Sequence, residues 1–147
     1  MIKDIDKGWN RIKGEVQKMK NAHARIGILQ GAPAYPDGTT QAEAAFWNEF
    51  GTEDIPERSF VRSTADEKRA TYGQVMKKET DKIMLGTSNV KTSLERAGML
   101  AQGHVRKKIK TLKSPPNAPS TIAKKSSSNP LIDTGTMLRA VDYEVKM

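Results

Sequence analysis

Two short stretches near opposite ends of this chain alternate apolar and polar side chains residue by residue. In His23-Ala24-Arg25-Ile26-Gly27-Ile28-Leu29 the apolar positions are Ala24, Ile26 and Ile28, and Val141-Asp142-Tyr143-Glu144-Val145 alternates strictly. A period of two places successive side chains on opposite faces of an extended strand, so both stretches are read as β-strands. Pairing the strand at 24–29 with the terminal one brings the ends of the fold together. Everything between them must then fit around a small sheet.

The intervening periods are helical or irregular. Ile2, Ile5, Trp9, Ile12, Val16 and Met19 recur at helical spacing and predict an amphipathic helix with one apolar face. Gly8 and Gly14 weaken it by up to about 1 kcal/mol each relative to alanine, so packing must hold it. Residues 31–39 carry two prolines and two glycines and read as a loop. Thr40-Gln41-Ala42-Glu43 has capping-box spacing and opens a short helix through Ala45, Phe46 and Phe50. Phe46 and Phe50 are expected in the core, and Gly51 is placed to end that helix with a positive φ. After the irregular run TEDIPERSF, Ser63 with Asp66 predicts the cap of a long helix carrying Ala65, Tyr72, Val75, Met76 and Ile83 and closed by Gly86. Ser88 is expected to cap a further helix whose apolar face holds Val90, Leu94, Ala97, Ala101, Val105 and Leu112.

Beyond Lys113 the composition changes abruptly. SPPNAPSTIAKKSSSNP has almost no apolar content and reads as an extended or mobile arm at about 114–130. The expected fold is therefore α+β, one domain over residues 1–147. It combines a small antiparallel sheet with three longer helices, one short helix and the Pro/Ser-rich arm.

Composition bears on what such a domain does. A hydrophobic fraction of 36% is low for a self-sufficient globule and suits a protein stabilised partly by partners. Residues 1–85 hold 14 basic and 13 acidic side chains, whereas residues 86–147 hold 11 and 4. The basic C-terminal half calls for an electrostatic partner, either nucleic acid or the acidic face of another protein. With no cysteine, disulfides and thiolate metal sites are excluded. No run approaches the roughly 20 apolar residues that span a bilayer, and the N-terminal segment mixes acids with bases unlike a signal or transit peptide. A soluble protein without a membrane partner, intracellular when made, is expected.

Catalytic patterns are lacking. His23 and His104 lie far apart and outside any metal-ligand spacing. Glu53-Asp54 and Asp66-Glu67 are adjacent carboxylates whose side chains diverge, and Asp66-Glu67 suits a helix N-terminus. Ser126-Ser127-Ser128 has no nearby base and fits loop composition better than nucleophilic catalysis. Gly31 and Gly38 form no phosphate-binding loop. No enzyme, cofactor or metal is expected.

Two blocks are more specific. The first is Ala44-Ala45-Phe46-Trp47-Asn48-Glu49-Phe50-Gly51-Thr52-Glu53-Asp54-Ile55-Pro56-Glu57-Arg58-Ser59-Phe60-Val61-Arg62. The second joins Pro115-Pro116-Asn117-Ala118-Pro119-Ser120-Thr121-Ile122 to Pro130-Leu131-Ile132-Asp133-Thr134-Gly135 and Leu138-Arg139. Together they resemble the neck, or head-to-tail joining, proteins of long-tailed bacteriophages, the tail-completion family. Ser59 stands where that pattern usually has proline, and Met137 adds a residue before Leu138.

The resemblance implies a structural virion subunit at the head–tail junction, held in the host cytoplasm before assembly. It further implies a self-associated ring of six copies, in contact with other connector, neck or tail terminator proteins. Genome DNA would pass through without its sequence being read. Candidate interface residues are Trp47, Phe50, Arg58, Phe60 and Arg62 in the first block and Asp133, Gly135 and Arg139 in the second. Arg58 and Arg62 suit bidentate pairing with carboxylates of a neighbour.

A rival reading is a non-specific nucleic-acid-binding module. It would use Arg106, Lys107, Lys108, Lys110, Lys113, Lys124 and Lys125, which could equally face an acidic protein partner. The cluster has no interleaved aromatics or base-reading side chains. A tail terminator subunit is a third reading, different in virion position rather than in physics.

Overall fold

A computed structural model of the chain describes residues 8–29, 31–125 and 127–147. The fold is α+β, with six helices and a two-stranded antiparallel sheet among the described residues. In chain order these are α1 (Trp9–Met19), β1 (His23–Ile28), α2 (Gln41–Phe50), α3 (Arg62–Leu85), α4 (Val90–Thr111), α5 (Pro119–Lys124), α6 (Thr136–Ala140) and β2 (Val141–Lys146). Ile2, Ile5 and Ser126 lie outside the described residues.

The two alternating stretches pair with each other, His23 opposite Lys146 and Ile28 opposite Val141. The sheet lies across α4, where Gly98 makes the close approach possible. A Cβ on Gly98 would overlap the Tyr143 ring. Ala45, Phe60, Val105, Ile109, Leu131, Met137 and Val141 form the core, with Ile26, Ile28, Val61, Leu112, Ile132 and Leu138 packed against it.

Three buried glutamates lock the helices to one another. The Glu15 carboxylate of α1 accepts from Val90 N–H at 2.8 Å, so it serves the first turn of α4. Glu79 of α3 accepts from Ser93 Oγ at 3.0 Å and Arg96 Nη1 at 3.1 Å in α4. Glu49 of α2 serves the start of α3, as described below. A carboxylate is suited to this task because the N-terminal N–H groups of a helix lack intrahelical acceptors and carry partial positive charge. Lys18 and Lys82 pair with Glu15 and Glu79 and offset part of the cost of burying them.

Several local expectations change in the tertiary context. The Thr40–Glu43 capping box forms in both directions, and Gly51 and Gly86 end their helices with φ of 75° and 81°. Ser63, by contrast, is not the cap of α3: the helix starts at Arg62, and the Ser63 hydroxyl donates back to the Ser59 carbonyl. Asn89, not Ser88, caps α4 by accepting from Thr92 N–H. The buried face of α4 runs through Val90, Ser93, Gly98, Ala101, Val105 and Ile109, leaving Leu94, Ala97 and Leu112 at its margin. On α1 the apolar stripe is not sealed: Ile12 and Met19 are half-buried, whereas Trp9 and Val16 are exposed.

The arm at 114–130 is docked rather than free. It contains α5, and the Arg58 guanidinium donates to the carbonyls of Pro115 at 2.7 Å and Pro116 at 3.0 Å. At its far end Asn129 donates to the Ile109 and Lys110 carbonyls at the end of α4. Satisfied polar groups at both ends substitute for the apolar content that the segment lacks.

Candidate interaction surface

The first sequence block folds into the joint between α2 and α3. Gly51 reverses the chain, with no room for a Cβ against the Glu57 backbone nitrogen. Thr52 Oγ1 then accepts from the N–H groups of Asp54 and Ile55, and Arg58 N–H donates to the Asn48 carbonyl at 2.6 Å. The returning strand of chain is thereby laid against the end of α2.

Glu49 is the centre of this joint. Its carboxylate accepts from the backbone N–H groups of Phe60, Val61 and Arg62 at 2.8, 2.9 and 2.9 Å, from Ser59 Oγ at 2.8 Å and from Arg62 Nε at 3.1 Å. Burial alone would raise its pKa. The Val61, Arg62 and Phe60 N–H groups and the Ser59 hydroxyl outweigh that and hold it below the ordinary carboxylate value. Ser59 has its own part, since its Oγ also accepts from Ser63 N–H at 3.2 Å. A proline there would supply no hydroxyl for either bond.

The outer face of the joint is aromatic and exposed. Phe46 and Phe50 stack in tilted fashion at 4.8 Å and are 59% and 50% exposed, so they are not core residues as expected. Ala45 points inward from α2 instead. Trp47 is exposed beside them. The Arg62 guanidinium lies 4.5 Å from the Phe50 ring centroid while Nη2 donates to the Glu49 carbonyl and to Glu57. An open cavity of about 290 Å³ lined by Ile28, Ala42, Phe46, Phe50, Val61 and Arg62 runs beside the pair.

Other residues expected at an interface face inward. Phe60 is 1% exposed and sits in the core, because the Glu49 bonds draw its backbone beneath α2. Arg58 is 5% exposed and is spent within the chain, on Pro115, Pro116 and Asn48 Oδ1. Neither is available to a partner. In the second block Gly135 adopts φ 77° at the start of α6, and the exposed Arg139 folds back on the Thr134 carbonyl at 3.1 Å. Asp133 is exposed at the turn before it. Because α6 packs on α2, the two blocks adjoin in space.

The basic cluster divides as well. Arg106 donates to the Val141 carbonyl at 2.8 Å and steadies the start of β2. Lys108 pairs with Glu67, and Lys125, half-buried, has its pKa lowered by burial against the attraction of Asp133. Lys107, Lys110, Lys113 and Lys124 are exposed and make no ion pair with a described residue. His104 hydrogen-bonds Tyr72 Oη at 3.1 Å, and His23 the Asn21 carbonyl. Among the described residues no three histidine or carboxylate side chains converge on a metal-sized site. No protein-family model, curated protein or solved structure matches the chain.

Proposed function

We propose that the chain is a structural subunit of the neck of a tailed bacteriophage, one of six copies in a ring that joins the DNA-filled head to the tail. The observation that carries this reading is the aromatic face of the α2–α3 joint. Phe46, Trp47 and Phe50 are large, exposed and clustered, while a buried carboxylate holds the backbone beneath them in place. Exposed aromatic clusters on a rigid support are what a protein–protein interface requires, since little entropy is then lost on binding. The resemblance of the two sequence blocks to tail-completion proteins supports the choice of the virion neck for that interface.

The mechanism is geometric. A heterologous contact repeated around a closed ring orders the copies, and DNA passes through the centre. A nucleic-acid module finds less support, because Arg106, Lys108 and Lys125 are engaged within the chain.

Deleting the gene from the encoding phage and supplying it in trans tests the reading. Full heads and separate tails are expected from the deletion, and again when Phe46→Ser/Phe50→Ser replaces the wild-type chain. Normal virions from the deletion would overturn it.

A further inference from the structure

The arm and the α2–α3 joint enclose an open cavity of about 660 Å³. Arg58 and Asp54 line it from the joint, and Asn117 and Lys125 line it from the arm. Ile55, Pro56 and Pro116 supply apolar wall.

The donors in this cavity face no anion. Arg58 is 5% exposed, and its acceptors are all neutral: the Pro115 and Pro116 carbonyls at 2.7 and 3.0 Å and Asn48 Oδ1 at 3.3 Å. Its Nη1 and Nη2 each carry a second N–H that makes none of these bonds. Asn117 Nδ2 is buried and has no hydrogen-bond partner among the described residues. Lys125 Nζ is engaged only with the Pro130 carbonyl, at 3.4 Å. Neither cation forms an ion pair with a described residue. A buried cation that meets only neutral acceptors recovers little of its desolvation cost, and an amide N–H without an acceptor adds to that cost. Burial accordingly lowers the pKa of both Arg58 and Lys125, and the two cations also repel each other.

The nearby acids set the charge that fits. Asp133 attracts Lys125, and Asp54 lines the cavity without pairing to either cation. Arg58 is thus the cation left without an acid, and a dianion such as phosphate would be opposed by both aspartates. A carboxylate brings a single charge and two acceptor oxygens, which suit the spare N–H groups of a guanidinium. The apolar wall suits a short hydrocarbon stem behind it.

We propose that this cavity is a binding site for a small aliphatic monocarboxylate, held by Arg58, Asn117 and Lys125. Burial keeps Arg58 from the surface of a protein partner, whereas a small acid that enters the cavity reaches it. The bound acid joins two residues of the arm to one of the joint and so fastens the arm.

Sodium butyrate is the probe, added to the full-length nitrogen-15-labelled protein against equal sodium chloride, with butyramide as the neutral analogue. The Asn117 side-chain amide and Arg58 Nε signals are expected to move saturably with butyrate and not with butyramide. Butyrate, and not butyramide, is also expected to slow tryptic cleavage after Lys124. Lys125→Met removes only the long bond to Pro130 and is expected to weaken binding by about tenfold. An equal response to butyramide, a shift that does not saturate, unchanged cleavage or undiminished affinity in Lys125→Met would overturn the site. Two further probes test the identity of the ligand. Inorganic phosphate binding more tightly than butyrate would overturn the assignment of charge. A response to an acetylated, amidated glutamyl peptide without one to butyrate would overturn the assignment to a small acid.

Discussion

At Glu49 a single carboxylate serves three consecutive backbone N–H groups, a hydroxyl and a guanidinium. Removing it strands buried donors at the start of α3. Glu49→Ala is accordingly expected to cost at least about 2 kcal/mol, and Glu49→Gln less, since one acceptor oxygen remains. Urea denaturation of the two variants beside wild type measures this, and a loss within about 0.5 kcal/mol for Glu49→Ala would refute the capping role. Two phenylalanines ten residues apart in the same block should separate cleanly. Phe60→Ala hollows the core and is expected to cost about 3–5 kcal/mol. Phe50→Ala removes a half-exposed ring whose contact with Arg62 is worth about 0.5–1 kcal/mol, and should leave the fold intact. The near-complete burial of Phe60 makes the reverse order of stability incompatible with the structure.

At the scale of elements, the joints between helices are ionic and hence sensitive to pH. Glu15 is lowered in pKa by its bond from Lys18 and by the Val90 N–H. Glu79 is lowered by Lys82 and, against burial, by Ser93 and Arg96; Glu49 is lowered by its backbone donors despite burial. All three are depressed relative to the unfolded chain. Their contribution is thus fully present above the ordinary glutamate value of about 4.3 and is lost as pH falls through the lower folded values. The urea midpoint should decline gently below about pH 6.5, because burial lowers the His104 pKa and the unfolded chain takes up that proton first. It should then fall more steeply below about pH 5 as the glutamates protonate, and Glu49→Gln should flatten part of the steeper decline. A midpoint that rose on acidification would contradict the sign of these shifts. Arg58 makes the corresponding joint between α2 and the arm. Arg58→Ala is expected to free the Pro115–Pro116 carbonyls, with a loss of about 3 kcal/mol or less, and to speed tryptic cleavage after Lys124 and Lys125. Unchanged cleavage would mean that Asn129 alone holds the segment.

Considered as a whole molecule, the protein exposes an aromatic cluster at the α2–α3 joint and, among the described residues, lysines without an ion pair along the end of α4 and the arm. Four exposed lysines, Lys107, Lys110, Lys113 and Lys124, offer few phosphate contacts per copy. Duplex binding is expected to be weak and independent of sequence, with a log–log salt slope of about −0.9 per phosphate neutralised, and to vanish at physiological salt. A labelled duplex titrated at low and physiological salt checks this. Nanomolar, sequence-selective binding at the higher salt would favour the nucleic-acid module instead. The free subunit should sediment as a monomer at low concentration and associate as concentration rises, because each open contact is small and rimmed by polar groups. A tight dimer independent of concentration would exclude a head-to-tail ring.

Local chemistry was sufficient for several features whose partners lie within a few residues, although it misassigned the caps of α3 and α4 to Ser63 and Ser88. Thr40 and Glu43 are three apart and cap one another, Gly51 and Gly86 supply positive φ at helix ends, and strict alternation identified β1 and β2 as the strands of an α+β fold. Their pairing in a small antiparallel sheet was also expected and is what the structure has. Periodicity could not say which apolar face would be covered. Phe46, Phe50 and Trp9 fit a helical stripe as well as Ala45 does, yet coverage depends on what another element brings to that side. The same limit hid Glu15, Glu49 and Glu79: a glutamate near a helix end looks like a solvated charge until a distant N-terminus arrives against it. Arg58 was misread for the same reason, its acceptors lying nearly sixty residues on, in a segment whose composition read as an extended or mobile arm. Burial and long-range hydrogen bonds are properties of pairs of elements, and only the packed chain brings the members of each pair together.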